Sequence, residues 1–362
     1  MEKKEVVHLL RDLIRFPSIS GEEKELADWL EIRIRKTGLL NVERFEDNLL
    51  LTLGAGTPFL LLNSHSDVVP PSDRHEGDPF DPVIKKGRVH GRGSTDAKGS
   101  VSSMVTALLG LAKKGYKPTG RVSLAITVCE ERYAEKNGMN HLRKILPEPD
   151  AALVGEPTEL HPCGAQKGLL IVTLETKGTS GHAARATGPN AIYEMSVLLE
   201  KLRNISFGKL NPLLGSVRIT PTVIEGGSAR NAHPESCIVY LDIRTIPDYS
   251  NDHIIKKLQT ELGAHVSIFS DRFVATQTDP GHPIARAACE VTGHPLVGSE
   301  TSSDWVALAD IPTIKIGPGR SIDSHTAGES IALEQLELAV PVYQNIIRRY
   351  FEYTTESLEK RR

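Results

Sequence analysis

Four short apolar runs limit what this chain can fold into: "FLLLN" (59–63), "RVSLAITVC" (121–129), "AALVG" (151–155) and "PTIKIG" (312–317). Each has the length and composition of a strand. Between the first two, "SVSSMVTALLGLAKK" (100–114) has helical spacing and is closed by Gly115. Nearly continuous apolar strands alternating with helices predict an α/β fold built on a mostly parallel sheet flanked by helices. Each run also leads into residues of one chemical kind. His65 and Asp67 follow the first, Glu130 and Glu131 the second, Glu156 the third, and "PGRSIDSHTAGE", with His325 and Glu329, the fourth. Ligands in open α/β sheets collect beyond the carboxyl ends of the strands, so the pattern places these groups at one sheet edge. Asp96 joins them from "GRGSTDAKGS", where glycines allow close backbone approach.

The middle of the chain reads differently. Strands are expected at 169–177, 216–224, 236–244 and 264–270, with helices at 190–204 and 251–262. This β-α-β-β-α-β order is the ferredoxin-like arrangement. The expected organisation is therefore a discontinuous α/β domain, 1–168 and 282–362, that carries these strand-end groups and is interrupted by an α+β domain at 169–281. Near the start, Ser20 and Glu23 have the spacing of a capping box, with a helix running to Thr37 and Gly38 as its stop. A final helix is expected over 331–353, kinked or split by Pro341.

A length of 362 residues suits about two domains. The net charge of −3 excludes nucleic acid and an anionic membrane as main partners. No apolar run approaches the ~20 residues that span a bilayer. "MEKKEVVHLL" reads as a charged amphipathic helix rather than a signal peptide. Cys129, Cys163, Cys237 and Cys289 form no C-x-x-C pair, which fits a reducing cytoplasm better than a disulfide framework.

Histidines with carboxylates suit a borderline divalent cation such as zinc. One catalytic ion needs only three protein ligands, and more candidates are present than that, so a pair of ions is expected. Glu130 and Glu131 point to opposite faces if both sit on a strand, so one can bind metal while the other moves protons. Singly, each residue has an ordinary reading as well: Asp96 as a helix N-cap, Asp67 as a turn residue, the glutamate pair as a solvated charge cluster, and His65 or His325 as a loop histidine.

Taken in order, "SHSDVVP", "GRGSTDAKG", "CEE", "GEPT" and "SHTAGE" resemble the co-catalytic zinc deacylases, a family that includes acetylornithine deacetylase, succinyl-diaminopimelate desuccinylase, aminoacylase and related carboxypeptidases. The resemblance covers nearly the whole chain, and 301–329 is most similar to the acetylornithine-deacetylase branch. It implies two divalent ions per chain, zinc first, with cobalt or manganese able to share the ligands. His65 and Glu156 would hold one ion, Glu131 and His325 the other, with Asp96 shared. Asp67 would orient His65, and Glu130 would be the general base. "GTSGHAARATGPNAI" (178–192) is similar to the family's lid motif, which implies that His182 stabilises the oxyanion, usually across a homodimer interface formed by the inserted domain. "SARNAHPESCIVYLDIR" (228–244) implies that Asn231 and Arg244 bind the substrate carboxylate, although a strand-end ion pair is the ordinary reading of Arg244.

The implied activity is hydrolysis of an N-acyl-L-amino acid. N-acetylornithine or acetylcitrulline in arginine biosynthesis is the main expectation, and a desuccinylase, dipeptidase or carboxypeptidase on the same site is the alternative. A succinyl group would call for a further cation, for which Arg185 and Arg320 are candidates. A non-catalytic metal-binding dimer is the reading from outside the enzymes. Cys129, Arg132 and Tyr133 depart from the family pattern. Cys129 is expected to be a small buried residue rather than a nucleophile.

Overall fold

The computed structural model describes the backbone of residues 2–72, 74, 77–132 and 136–359. The chain forms two compact units: Met1–Gly164 with Thr278–Val297 and Ser303–Arg362, and Ala165–Gln277 with Gly298–Ser302. The second unit thus begins and ends about four residues earlier than the sequence boundaries of 169 and 281, and it takes in a short later segment.

In the first unit, four strands lie parallel in the order Arg121–Thr127, Phe59–His65, Ala151–Val154 and Thr313–Lys315. Asn48–Gly54 runs antiparallel beside Arg121–Thr127, and Asn41–Phe45 lies outside it. The Phe59–His65 strand is buried along its whole length. Leu60 and Leu62 pack into the cluster under the helices Glu2–Ile14, Lys98–Lys113 and Leu333–Glu359. Phe59 and Leu61 pack on the opposite face with Met139, Leu142 and Trp305. Alternate side chains therefore meet apolar layers on both sides, which is why the run shows no polar alternation. Each fully buried leucine contributes ~1.5–3 kcal/mol.

The second unit carries an antiparallel four-stranded sheet in the order Arg218–Gly226, Ser236–Thr245, Gly168–Lys177, Val266–Phe273. Here the burial alternates. Leu170, Val172 and Leu174 point into the core beside Met195, Ile254 and Leu258 of the two helices, while Leu169, Ile171 and Thr173 are half-buried on the other face. Asn190 caps Ala191–Arg203 by accepting from Ile192 N and Tyr193 N, and Ser250 caps Asn251–Leu262 by accepting from His253 N. Gly263 ends the latter helix in the left-handed region (φ +64°).

Three local expectations are corrected. The first helix after Ser20 spans Lys24–Arg35 and has no side-chain cap; the Ser20 hydroxyl and the Glu23 carboxylate are engaged elsewhere, as described below. The Lys98–Lys113 helix starts after Ala97 without a side-chain cap, so Asp96 is not an N-cap. Leu333–Glu359 is one helix with Pro341 inside it, so the proline does not split it. Among the described residues, no helix is long and apolar enough to cross a membrane.

Candidate metal centre

Parallel pairing brings the carboxyl ends of four strands together, and the loops there deliver the polar groups. His65 is the last residue of its strand and is 1% exposed. Its Nδ1 lies 3.1 Å from the Asp67 carbonyl oxygen and 3.4 Å from Asp67 Oδ1. Both neighbours only accept, so Nδ1 carries a hydrogen, and Nε2 is the atom that would turn to a metal ion. Nε2 faces Asp96 Oδ1 at 3.2 Å and Glu156 Oε1 at 3.8 Å. On the other side, His325 Nε2 lies 2.9 Å from Glu131 Oε1 and 3.4 Å from Asp96 Oδ2.

Two trios result, His65–Asp96–Glu156 and Asp96–Glu131–His325, each with ligand atoms within 4.8 Å of one another. Asp96 belongs to both and turns one oxygen toward each imidazole. All donors are nitrogen or oxygen, which suits a borderline or hard divalent cation.

The strand before Glu130 ends at Thr127, earlier than the run "RVSLAITVC" suggests. Cys129 then adopts φ +57°, a left-handed conformation that turns the chain off the sheet. The different roles of the two glutamates therefore come from the turn and not from strand alternation. Asp67 fixes that turn: its Oδ1 accepts from Glu130 N and its Oδ2 from Glu131 N, both at 3.1 Å. The Ser20 hydroxyl donates to Oδ2 at 2.6 Å. Glu23, itself buried, accepts from Cys129 N at 3.0 Å. Burial and the neighbouring Glu23 push the Cys129 thiol up to about 12, so this thiol is not a nucleophile.

The electrostatics are those of a carboxylate surplus. Burial raises Glu130 well above the ordinary carboxyl range, and the charges of Glu156, Asp304 and Glu131 add to the shift against the opposing effect of His65. Burial, with Asp96 beside it, pushes Glu156 up to about 8. Glu131 is raised for the same first reason, against the hydrogen bond from His325. Burial pulls His65 down, but Asp67 and Asp96 outweigh it and the net shift is upward. Five carboxylates (Asp67, Asp96, Glu130, Glu131 and Glu156) around two imidazoles, mostly out of water, form an anionic cluster that a divalent cation offsets. The residues present therefore fit a metal pair.

Sequence reasoning gave no role to several supporting groups. Ser20, in a capping-box sequence, supports Asp67 instead. Asp304, 1% exposed, accepts from Thr127 Oγ1 and Asn137 Nδ2 at 2.9 Å and from Asn63 Nδ2 at 3.3 Å. No motif marks it. Glu329 is likewise buried, beside Arg92 and the 93–96 backbone. Arg132 is exposed, and Tyr133 lies outside the described residues.

His182, Asn231 and Arg244 belong to the second unit. His182 is exposed on Gly181–His182, which pairs with Ala232–His233, and Ala183 N donates to the Asn231 carbonyl at 2.9 Å. His182 and Asn231 are thus near neighbours. Arg244 makes the strand-end ion pair, donating Nε to Asp242 Oδ1 at 2.9 Å and Nη2 to Oδ2 at 3.2 Å.

The model of peptidase family M20/M25/M40 matches residues 61–349. The chain belongs to this family. It is accordingly a metal-dependent amidohydrolase, as the ordered motifs implied. Similar proteins include the succinyl-diaminopimelate desuccinylase of Wolbachia pipientis wMel, 26% identical over 388 residues, covering 99% of this chain and 96% of that one. The enzyme of the same name from Parvibaculum lavamentivorans is 29% identical over 386 residues, 94% of each chain. Among solved structures, a dinuclear metal-binding M20 peptidase from Bacillus subtilis shares the fold, with TM-score 0.72 at 15% identity, covering 96% of this chain and 97% of that one.

Proposed function

We propose that this protein hydrolyses the amide bond of an N-acyl-L-amino acid, with N-succinyl diamino acids as its first candidate substrates. The observation that carries the hydrolytic reading is Asp96, shared between the two trios, with the half-buried Glu130 beside them. The choice of acyl group is supported by the two desuccinylases just described, which favour the succinyl alternative over the acetylornithine expectation. Arg320, half-exposed and paired with Asp323, and the exposed Arg185 remain candidates for a second substrate carboxylate.

His65, Asp96 and Glu156 would hold one divalent ion, and Asp96, Glu131 and His325 the other, with zinc first and cobalt or manganese sharing the donors. Ions held there supply Lewis acidity for the acyl carbonyl and a more acidic water. Glu130 takes the proton of the attacking water and delivers it to the leaving amine as the C–N bond breaks. A carboxyl group held above its ordinary range suits both halves of that task. Asp67 fixes the His65 tautomer and, through the two amides it accepts from, the height of Glu130 and Glu131. Asn231 and Arg244 bind the substrate α-carboxylate, and His182 donates to the oxyanion, in a homodimer formed through the second unit and working in the cytoplasm.

The test is a screen of acetyl-, succinyl- and peptidyl-substrates on purified protein, with and without chelator. Chelator-sensitive release of succinate from an N-succinyl diamino acid is expected. Glu130→Gln should retain its metal and lose about 10²–10⁴-fold in turnover. Full activity in that variant removes Glu130 as the base. Two bound ions with no hydrolysis of any acyl amino acid would favour a non-catalytic binding protein.

A further inference from the structure

Glu329 stands four residues after His325 and is not among the metal-ligand candidates, yet its carboxylate is filled from one short segment. Oε1 accepts from Thr95 N at 3.0 Å and Asp96 N at 3.1 Å. Oε2 accepts from Gly93 N at 3.1 Å and from Arg92 Nη1 at 2.6 Å. A carboxylate offers about four lone-pair positions, and here all four are used on residues 92–96. The main chain joins in, since Gly91 N donates to the Glu329 carbonyl at 3.2 Å and the Thr95 hydroxyl to the Ser330 carbonyl at 2.9 Å.

We infer that Glu329 is a positioning residue that sets where Asp96 stands between the two trios, so that the loop carrying His325 also dictates the place of the shared carboxylate. The inference rests on the metal reading given above. Its reason is geometric. Metal sites tolerate only ~0.2 Å in ligand distance. Asp96 must serve two imidazoles from one side chain, with Oδ1 3.2 Å from His65 and Oδ2 3.4 Å from His325. The segment before Asp96 is rich in glycine and gains its shape from outside. Gly93 has φ +82°, and a Cβ there would meet Val68 Cγ1 at 2.6 Å, so the segment cannot be stiffened by a side chain at that position. The two amide bonds to Oε1 fix the Asp96 backbone directly. A simple stabilising ion pair between Arg92 and Glu329 would need none of the three amides.

The test titrates the full metal-free chain with Mn²⁺ alone, reading affinity by calorimetry and the spin coupling of the two ions by electron paramagnetic resonance. Glu329→Gln keeps the shape but turns an NH₂ group toward amide donors. It should weaken both ions by about 10–100-fold and abolish the coupling, while circular dichroism shows a folded chain. If Glu329→Gln does not fold, Glu329→Asp, which keeps the charge but falls short of the amides, carries the same expectation. Arg92→Lys should lower the melting temperature of the metal-free protein and leave the ion affinities within about threefold. Wild-type affinities and coupling in a folded Glu329 variant overturn the inference. So does an Arg92→Lys variant that weakens the ions as much as Glu329→Gln. A wild-type chain that takes up no pair of ions removes the metal reading itself, and this inference with it.

Discussion

The two trios share a carboxylate but differ in how they are held. The His65 side chain is 2% exposed, and that of His325 is 51% exposed. His65 closes a fully buried strand, and its Nδ1 side is filled by Asp67. His325 stands in a loop at φ +61°, a conformation that costs a non-glycine residue of order 1–3 kcal/mol. One half of the centre is thus built on the sheet, and the other is closed by an exposed histidine of a loop that is anchored four residues further on at Glu329. Preorganisation belongs to the first half, and exchange with solvent to the second.

The largest test of this contrast removes what the halves share. Asp96→Ala should lose both ions and all measurable turnover, with metal content read by elemental analysis. Retention of either ion would show that the trios are independent. The next separates them. His325→Ala should release one ion and keep the other, and a chelator titration of the wild-type should show the same weak site emptying first. His65→Ala should release the other ion and also lower the melting temperature, because the buried Asp67 then loses the imidazole and keeps only Ser20 and the two amides, at a cost of about 1–3 kcal/mol. Equal effects of the two histidine variants on folding would break the comparison.

A smaller effect is expected one step back from the ligands. Asp67→Asn should cost about 10–100-fold in metal affinity, most strongly at the His65 trio. The smallest is a dependence on pH. Glu156, pushed up to about 8, binds more protons in the folded than in the unfolded chain between its ordinary value near 4.5 and that value. The stability it supplies is therefore complete below the unfolded value and is lost as pH rises through the folded one. The raised His65 acts in the same direction. Melting of the chelated protein should fall from pH 5 to pH 8, and Glu156→Gln should flatten the slope. The metal-loaded protein should show less of it.

Much of this was legible in the chain itself. The parallel strands could be read because a strand buried on both faces has no polar alternation, and "FLLLN" shows none. The second unit could be read from the β-α-β-β-α-β order of its strands and helices, while the alternation of its burial appears only in the folded chain. His65, Glu131 and Glu156 stand just past strands, so position along the chain was enough to find them; Asp96 and His325 stand in longer loops and were marked by their motifs. Ser20 and Asp304 were not legible. Ser20 sits in a sequence that imitates a capping box, and its hydroxyl met Asp67 instead, 47 residues away. Asp304 lies in no motif and owes its place to Asn63, Thr127 and Asn137. Strand length was also overestimated at Cys129, because apolar composition continues past the point where the backbone turns.

The order of strand and helix, and the residue types at the strand ends, were fixed by local pattern alone, since periodicity and composition are properties of neighbours in the chain. Which oxygen faces which imidazole, which nitrogen of His65 carries its hydrogen, and how Asp67 and Glu329 hold the ligand loops were decided only by the folded chain. Apart from the contact of His65 with Asp67, those relations join residues that are 31 to 237 positions apart. Only packing of the sheet and its loops brings such groups within hydrogen-bond distance.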